Sequence, residues 1–155
     1  MTAPLHLDDR LSIEEVAQVA RGRRPVELSA AARDRITRGR EVTERLLAEG
    51  ERVYGLTTGV GALKRVRVGQ AEQPAFNRLL LLSHRTGTGP PAAEEVVRAA
   101  MLGQLAGFAR GRSGVRLELA ELLAAALNAG LAPRVRSVGS LGQSDLGPLR
   151  IWRRR

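Results

Sequence analysis

The sequence has no cysteine and very few aromatic residues, and its 155 residues hold only one lysine and two histidines. Each shortage removes a class of explanation. Without cysteine there can be no disulfide framework, no zinc–thiolate site and no thiol nucleophile. Two histidines leave little for an all-protein metal site, so no metal is expected. Aromatics make up 3% of the chain against 43% hydrophobic residues overall, so any core must be aliphatic. No apolar run approaches the roughly 20 residues that span a bilayer. The start, Met1 to Asp9, lacks the charged region and apolar run of a signal peptide, so a cytoplasmic protein with no membrane partner is expected.

What is abundant is arginine. The formal net charge is +9, and Lys64 is the one basic residue that is not arginine. A strongly basic chain invites a nucleic-acid reading. The arginines, however, are scattered among Ala, Gly and Leu, and aromatics that could stack on bases are missing. The dense basic cluster is the tail Arg150, Arg153, Arg154 and Arg155. An arginine-rich composition explains this pattern better than a nucleic-acid partner does.

The length fits one domain. Ser12-Ile13-Glu14-Glu15 has the form of a capping box, which predicts a helix from Ile13 to about Arg21, ended by Gly22. Val26-Glu27-Leu28 reads as a brief extended link. Ser29 caps a second helix that runs to near Gly50, with Ala32, Ile36, Thr43, Leu46 and Leu47 on its apolar face. Gly55, Gly59 and Gly61 then predict an irregular loop. Phe76 to His84 returns to helix, and Leu79 to Leu82 make it apolar on nearly all sides, so it should be buried or lie at an assembly interface. Gly87, Gly89, Pro90 and Pro91 break it. A long helix begins near Ala92 with a face of Ala93, Val96, Val97, Ala100, Met101, Leu105 and Phe108. Another spans Leu117 to Asn128 and closes at Gly130. A second glycine-rich loop runs from Val138 to Pro148. The expected fold is all-α, a single domain over 1–155 with a divergent basic tail at 150–155.

Taken singly, these loops say little. Neither has a phosphate-binding pattern, and an isolated Tyr54 or His84 is more often a packing residue than a catalyst. Their order is more specific. Tyr54-Gly55-Leu56-Thr57-Thr58-Gly59-Val60-Gly61 resembles the Y-G-x-N-T-G-F-G loop of the aromatic amino-acid ammonia-lyase family. Leu82-Ser83-His84-Arg85-Thr86-Gly87-Thr88-Gly89 resembles L-x-S-H-x-x-G-x-G. Ala109 to Arg116 resembles A-x-G-x-S-G-V-R. Leu127-Asn128-Ala129-Gly130, Gly139-Ser140-Leu141-Gly142 and Asp145-Leu146-Gly147-Pro148-Leu149 resemble L-N-x-G, G-S-V-G and D-L-A-P-L. The resemblance, to the N-terminal segment of histidine and phenylalanine ammonia-lyases, runs from about Leu11 to Leu149.

That resemblance implies the N-terminal part of the ammonia-lyase helical fold, with two glycine-rich active-site loops. It implies a carbon–nitrogen lyase or aminomutase acting on an aromatic or imidazole amino acid. Tyr54 corresponds to the base that takes the β-proton. A phenol is a weak acid, so a base of this type needs positive surroundings or helix N-termini. His84, Thr57 and Gly61 correspond to substrate-side positions, and Gly59, Gly139 and Gly142 to loop glycines. The family's electrophile, a methylideneimidazolone made from an internal Ala-Ser-Gly, is in doubt here. Aligned from Gly139, the triad becomes Gln143-Ser144 followed at once by Asp145. Aligned from Asp145, it becomes Gly142-Gln143-Ser144. Ser144 is thus a doubtful remnant, and no other cofactor is expected. Family members are several times longer and assemble as homotetramers. The expectation is a homo- or hetero-oligomer, for instance with a chain that carries the C-terminal lyase region; a split or frameshifted gene would produce the Arg150 to Arg155 ending. The alternative is an inactive remnant or a regulatory subunit of a lyase-like complex.

Overall fold

The computed structural model describes residues 2–8, 10–83 and 87–139. Five helices dominate, joined by four short strands. In chain order these are β1 (Leu5–Leu7), α1 (Ile13–Ala20), β2 (Val26–Leu28), α2 (Ala30–Ala48), α3 (Gln73–Ser83), β3 (Thr88–Pro91), α4 (Glu94–Ala109), α5 (Leu117–Asn128) and β4 (Arg136–Val138).

The starts of α1 and α2 follow from their caps. Ser12 accepts from the Glu15 N–H while Glu15 Oε2 accepts from the Ser12 N–H, a reciprocal box that holds α1. Ser29 Oγ accepts from the Ala32 N–H at 3.0 Å and starts α2. At the other end of the body, Gly130 takes φ +72° just past α5, a conformation that glycine adopts without steric cost.

The strands modify the all-α expectation. Val26–Leu28 is not merely a link: it pairs in parallel with Leu5–Leu7, with Leu5 opposite Val26 and Leu7 opposite Leu28. All four of these side chains are buried, which explains the alternation of Leu-His-Leu and Val-Glu-Leu. Thr88–Pro91, expected only to break a helix, forms an antiparallel ribbon with β4 and a register irregularity between Thr88 and Pro91. Its prolines are tolerated because this is an exposed two-stranded ribbon, where missing N–H groups need no partner.

One core holds the body. Leu5, Leu7, Val26 and Leu28 from the strands meet Val19 of α1, Ala32 and Ile36 of α2, Val97, Met101, Leu102 and Leu105 of α4, and Ala120 and Leu127 of α5. Among the described residues of the stretch from Gly50 to Pro91, none contributes to it. Among its described residues only Thr57, Thr58 and Gly59 are buried. Helix α3 has no buried residue, and Leu79 is 65% exposed. Of the two environments expected for Leu79 to Leu82, burial within this chain is therefore not the one observed.

Candidate functional site

The first glycine-rich loop is built on its own backbone. Leaving α2, the chain turns at Gly50 (φ +67°) and again at Gly55 (φ +71°). The N–H groups of Leu56 and Thr57 both donate to the Val53 carbonyl, at 3.1 and 2.9 Å. A short antiparallel stem then closes the loop. Val68 N–H donates to the Thr57 carbonyl, Gly59 N–H donates to the Val66 carbonyl, and Thr58 bridges to Arg67. The tip reverses through a 3-10 turn at Gly61–Leu63. A Cβ on Gly59 would stand 2.6 Å from the Leu63 carbonyl oxygen, so only glycine lets the stem close this tightly. Arg52 secures the far side by donating to the Arg65 carbonyl at 2.8 Å.

Tyr54 and Gly61 are brought together. The Gly61 N–H donates to Tyr54 Oη at 3.0 Å, which ties the side chain at the base of the loop to the backbone at its tip. Tyr54 is nevertheless 64% exposed. Its oxygen is held as an acceptor at the surface of the loop. Thr57 is placed differently. Its hydroxyl accepts from the Val53 N–H at 2.8 Å and donates to the Glu51 carbonyl, and the residue is 9% exposed. Both hydroxyl functions are thus used inside the loop, and in this structure Thr57 is a strut behind the tyrosine.

The second motif region is reached through the β3–β4 ribbon. Thr88 pairs with Val138 in the antiparallel ribbon, so Gly87 stands at the same end of it as the residue that follows Val138. Gly139 lies at that end. His84, Gly142, Gln143, Ser144 and Asp145, and the basic tail at 150–155, lie outside the described residues. Among the described residues no group of three His, Cys, Asp or Glu side chains could hold a metal ion. No helix among them is long and apolar enough to cross a membrane.

Three features of the body were not read from the sequence. The Ala109-Arg110-Gly111-Arg112-Ser113-Gly114 motif serves close packing against α2. A Cβ on Gly39 would overlap the Gly111 carbonyl, one on Gly111 would overlap the Arg35 carbonyl, and one on Gly114 would overlap Thr43 Oγ1. Gly111 and Gly114 also adopt φ +72° and +61°. Arg35 and Arg40 of α2 then donate to the carbonyls of Ala109 and Gly114. Second, Arg98 is 1% exposed inside α4 and donates to the carbonyls of Val19, Ala20 and Leu127, where α1 and α5 end. Burial holds its guanidinium below the usual arginine range; Arg23 adds to this and Glu94 opposes it. The signal available was a single arginine set between Val97 and Met101. Third, Asn128 of the L-N-x-G motif bonds β2.

The model of the aromatic amino acid lyase family matches residues 11–150 of this chain. The chain belongs to that family. This lyase-family chain is 43% identical over 142 residues to histidine ammonia-lyase of Caldanaerobacter subterraneus subsp. tengcongensis, covering 91% of itself and 28% of that protein. Against histidine ammonia-lyase of Symbiobacterium thermophilum the identity is 44% over 146 residues, covering 94% and 29%. Solved structures agree. Tyrosine aminomutase from Streptomyces globisporus superposes with a TM-score of 0.91 at 34% identity, over 96% of this chain and 28% of that one. Ergothionase from Treponema denticola, in complex with desmethyl-ergothioneine sulfonic acid, gives a TM-score of 0.92 at 35% identity, over 96% and 30%. The lyase-family chain therefore spans less than a third of the length of these relatives.

Proposed function

We propose that this chain supplies the tyrosine loop of an ammonia-lyase or aminomutase active site for an aromatic or imidazole amino acid, and that the site is completed by segments this sequence does not contain. The observation that carries this reading is the geometry of Tyr54. Once its own proton has been lost to solvent, the Tyr54 oxygen, held by a backbone N–H donor that stabilises a phenolate and exposed on a loop closed by its own hydrogen bonds, can take a proton from a bound substrate. The named relatives support the reaction class: they include histidine ammonia-lyases, a tyrosine aminomutase and an ergothionase.

The electrophile does not fit the residues present. No Ala-Ser-Gly occurs anywhere in the sequence. Gln143-Ser144-Asp145 puts a side chain on the carbon of the nitrogen that would have to attack, where glycine is needed to let it approach. No step is therefore routed through such a group on this chain, and an electrophile would have to come from a partner.

Need for a partner is supported by the exposed apolar side chains outside the core. Leu79, Leu82, Leu63 and Val66 are all about half exposed or more and lie on the stretch that adds nothing to this body's interior. A second chain carrying the C-terminal lyase region would cover them. The test is co-expression with such a chain, followed by co-purification and a screen of histidine, phenylalanine and tyrosine for ammonia release or amino-group migration. A stable stoichiometric complex with turnover supports the proposal. Failure to associate, or an isolated chain that stays monomeric without binding a hydrophobic dye, favours the alternative of an inactive remnant.

A further inference from the structure

A cleft of about 580 Å³ is lined by Asp8, Arg10, Arg35, Arg110 and Arg112. It is separate from the tyrosine loop, since none of its lining comes from the stretch between Gly50 and Pro91. The five residues come from three separate parts of the chain, and four of them are cations. The single carboxylate is already occupied: Asp8 Oδ1 accepts from Arg35 Nη2 at 2.5 Å, and the Asp8 carbonyl accepts from the same nitrogen at 2.9 Å. Arg35 Nε donates to the Ala109 carbonyl at 3.0 Å, so this arginine is held in place among the lining residues. Among the described residues, the guanidinium groups of Arg10, Arg110 and Arg112 make no hydrogen bond or ion pair.

The clustering is imposed by backbone packing. Arg110 and Arg112 flank Gly111, whose φ of +72° and contact with the Arg35 carbonyl leave no room for a side chain. Seating Gly111 against α2 therefore brings Arg110 and Arg112 to the same cleft as Arg35. A cleft lined by four cations and one ion-paired carboxylate is net positive and concentrates counter-ions. Guanidinium groups offer forked donors suited to oxyanions. The lining has no aromatic side chain on which a base could stack and no apolar wall.

We infer that this cleft is a binding site for a small, multiply charged phosphate oxyanion, with pyrophosphate as the simplest probe. The organic portion of any phosphorylated ligand would remain in solvent and go unread.

Isothermal titration of the full chain with pyrophosphate, at ionic strength fixed with sodium chloride, tests this. One equivalent should bind. Arg110→Ala and Arg112→Ala should each weaken binding about tenfold, as expected for loss of a charge-assisted contact, while Arg134→Ala outside the cleft should not. Both altered cleft positions are exposed, and circular dichroism checks that each variant is folded. A nucleoside triphosphate should bind no tighter than tripolyphosphate. Equal affinity in all variants, heat that follows ionic strength alone, or binding confined to a nucleoside triphosphate or to nucleic acid would each overturn the assignment.

Discussion

Asn128 pairs with Val26 as a strand would. Its Oδ1 accepts from the Val26 N–H at 2.8 Å and its Nδ2 donates to the Val26 carbonyl at 2.9 Å, across 102 residues of sequence. One amide side chain thus satisfies both backbone groups of a buried residue at the edge of β2 and ties the last turn of α5 to the first β-unit. No aliphatic residue can replace it, and no acid can make both bonds while ionised.

Asn128→Ala should lower unfolding free energy by about 1–3 kcal/mol, the cost of leaving the two backbone groups unpaired. Asn128→Asp should be worse at neutral pH, because a carboxylate oxygen would then face the Val26 carbonyl. Protonation restores a donor, so the acid is favoured in its neutral form in the folded state. The deficit of the Asp variant should therefore shrink as pH falls and grow as pH rises. Urea titrations at pH 4 and pH 8 measure this, and an equal deficit at both would refute it.

Arg98 joins the ends of α1 and α5 through three carbonyls. Arg98→Leu keeps the volume apolar but strands those acceptors, and should cost about 2–4 kcal/mol. Burial lowers the folded-state value of this base. Its contribution would therefore rise only where pH climbs into the alkaline range in which a guanidinium loses its proton. From pH 6 to 9 the difference between wild type and variant should be flat, which chemical denaturation across that range can check.

Glycines in α4 and around α2 should respond in opposite directions. A Cβ added to Gly103 or Gly107 would meet nothing within 4 Å, so alanine at either should stabilise by about 0.5–1 kcal/mol through helix propensity. Alanine at Gly111 meets both a left-handed backbone and the Arg35 carbonyl. It should destabilise by about 2 kcal/mol or more. Thermal midpoints of the three variants decide the matter by their order.

In the assembled enzyme proposed above, Tyr54→Phe should reduce turnover by about 10²–10⁴-fold. The thermal midpoint should hardly change, because the Gly61 N–H is exposed and water can replace the lost acceptor. Near-full turnover with an unchanged pH profile would remove the tyrosine from the role of base.

The intact mass of the purified chain should equal that of the plain sequence. A species lighter by two waters, with the change mapped to Gly142 through Asp145, would show that the electrophile forms after all.

Much of the helical framework was legible because its signals are local. Ser12 with Glu15, Ser29, and the Leu117–Asn128 span closed by Gly130 each act within a few residues, and the structure repeats them. What escaped notice depends on distant partners. The β1–β2 pair has three residues per strand, too few for periodicity to register, and the two strands are separated in sequence by the whole of α1. Gly39 could not be understood without Gly111, which lies on another element. At the site, the family motifs identified Tyr54, Gly59 and Gly61. The use of the Thr57 hydroxyl, by contrast, depends on Glu51 and Val53 turning back on it.

The absence of core residues among the described residues between Gly50 and Pro91 separates two kinds of selection. Substitutions in the body are screened by folding, whatever the chain is used for. Substitutions in the tyrosine loop and α3 are screened chiefly by what those segments do. A lineage that lost the proposed chemistry could therefore erode that stretch while its framework persisted. The rate of change on either side of Gly50, compared among descendants, would record when the proposed activity ceased to matter.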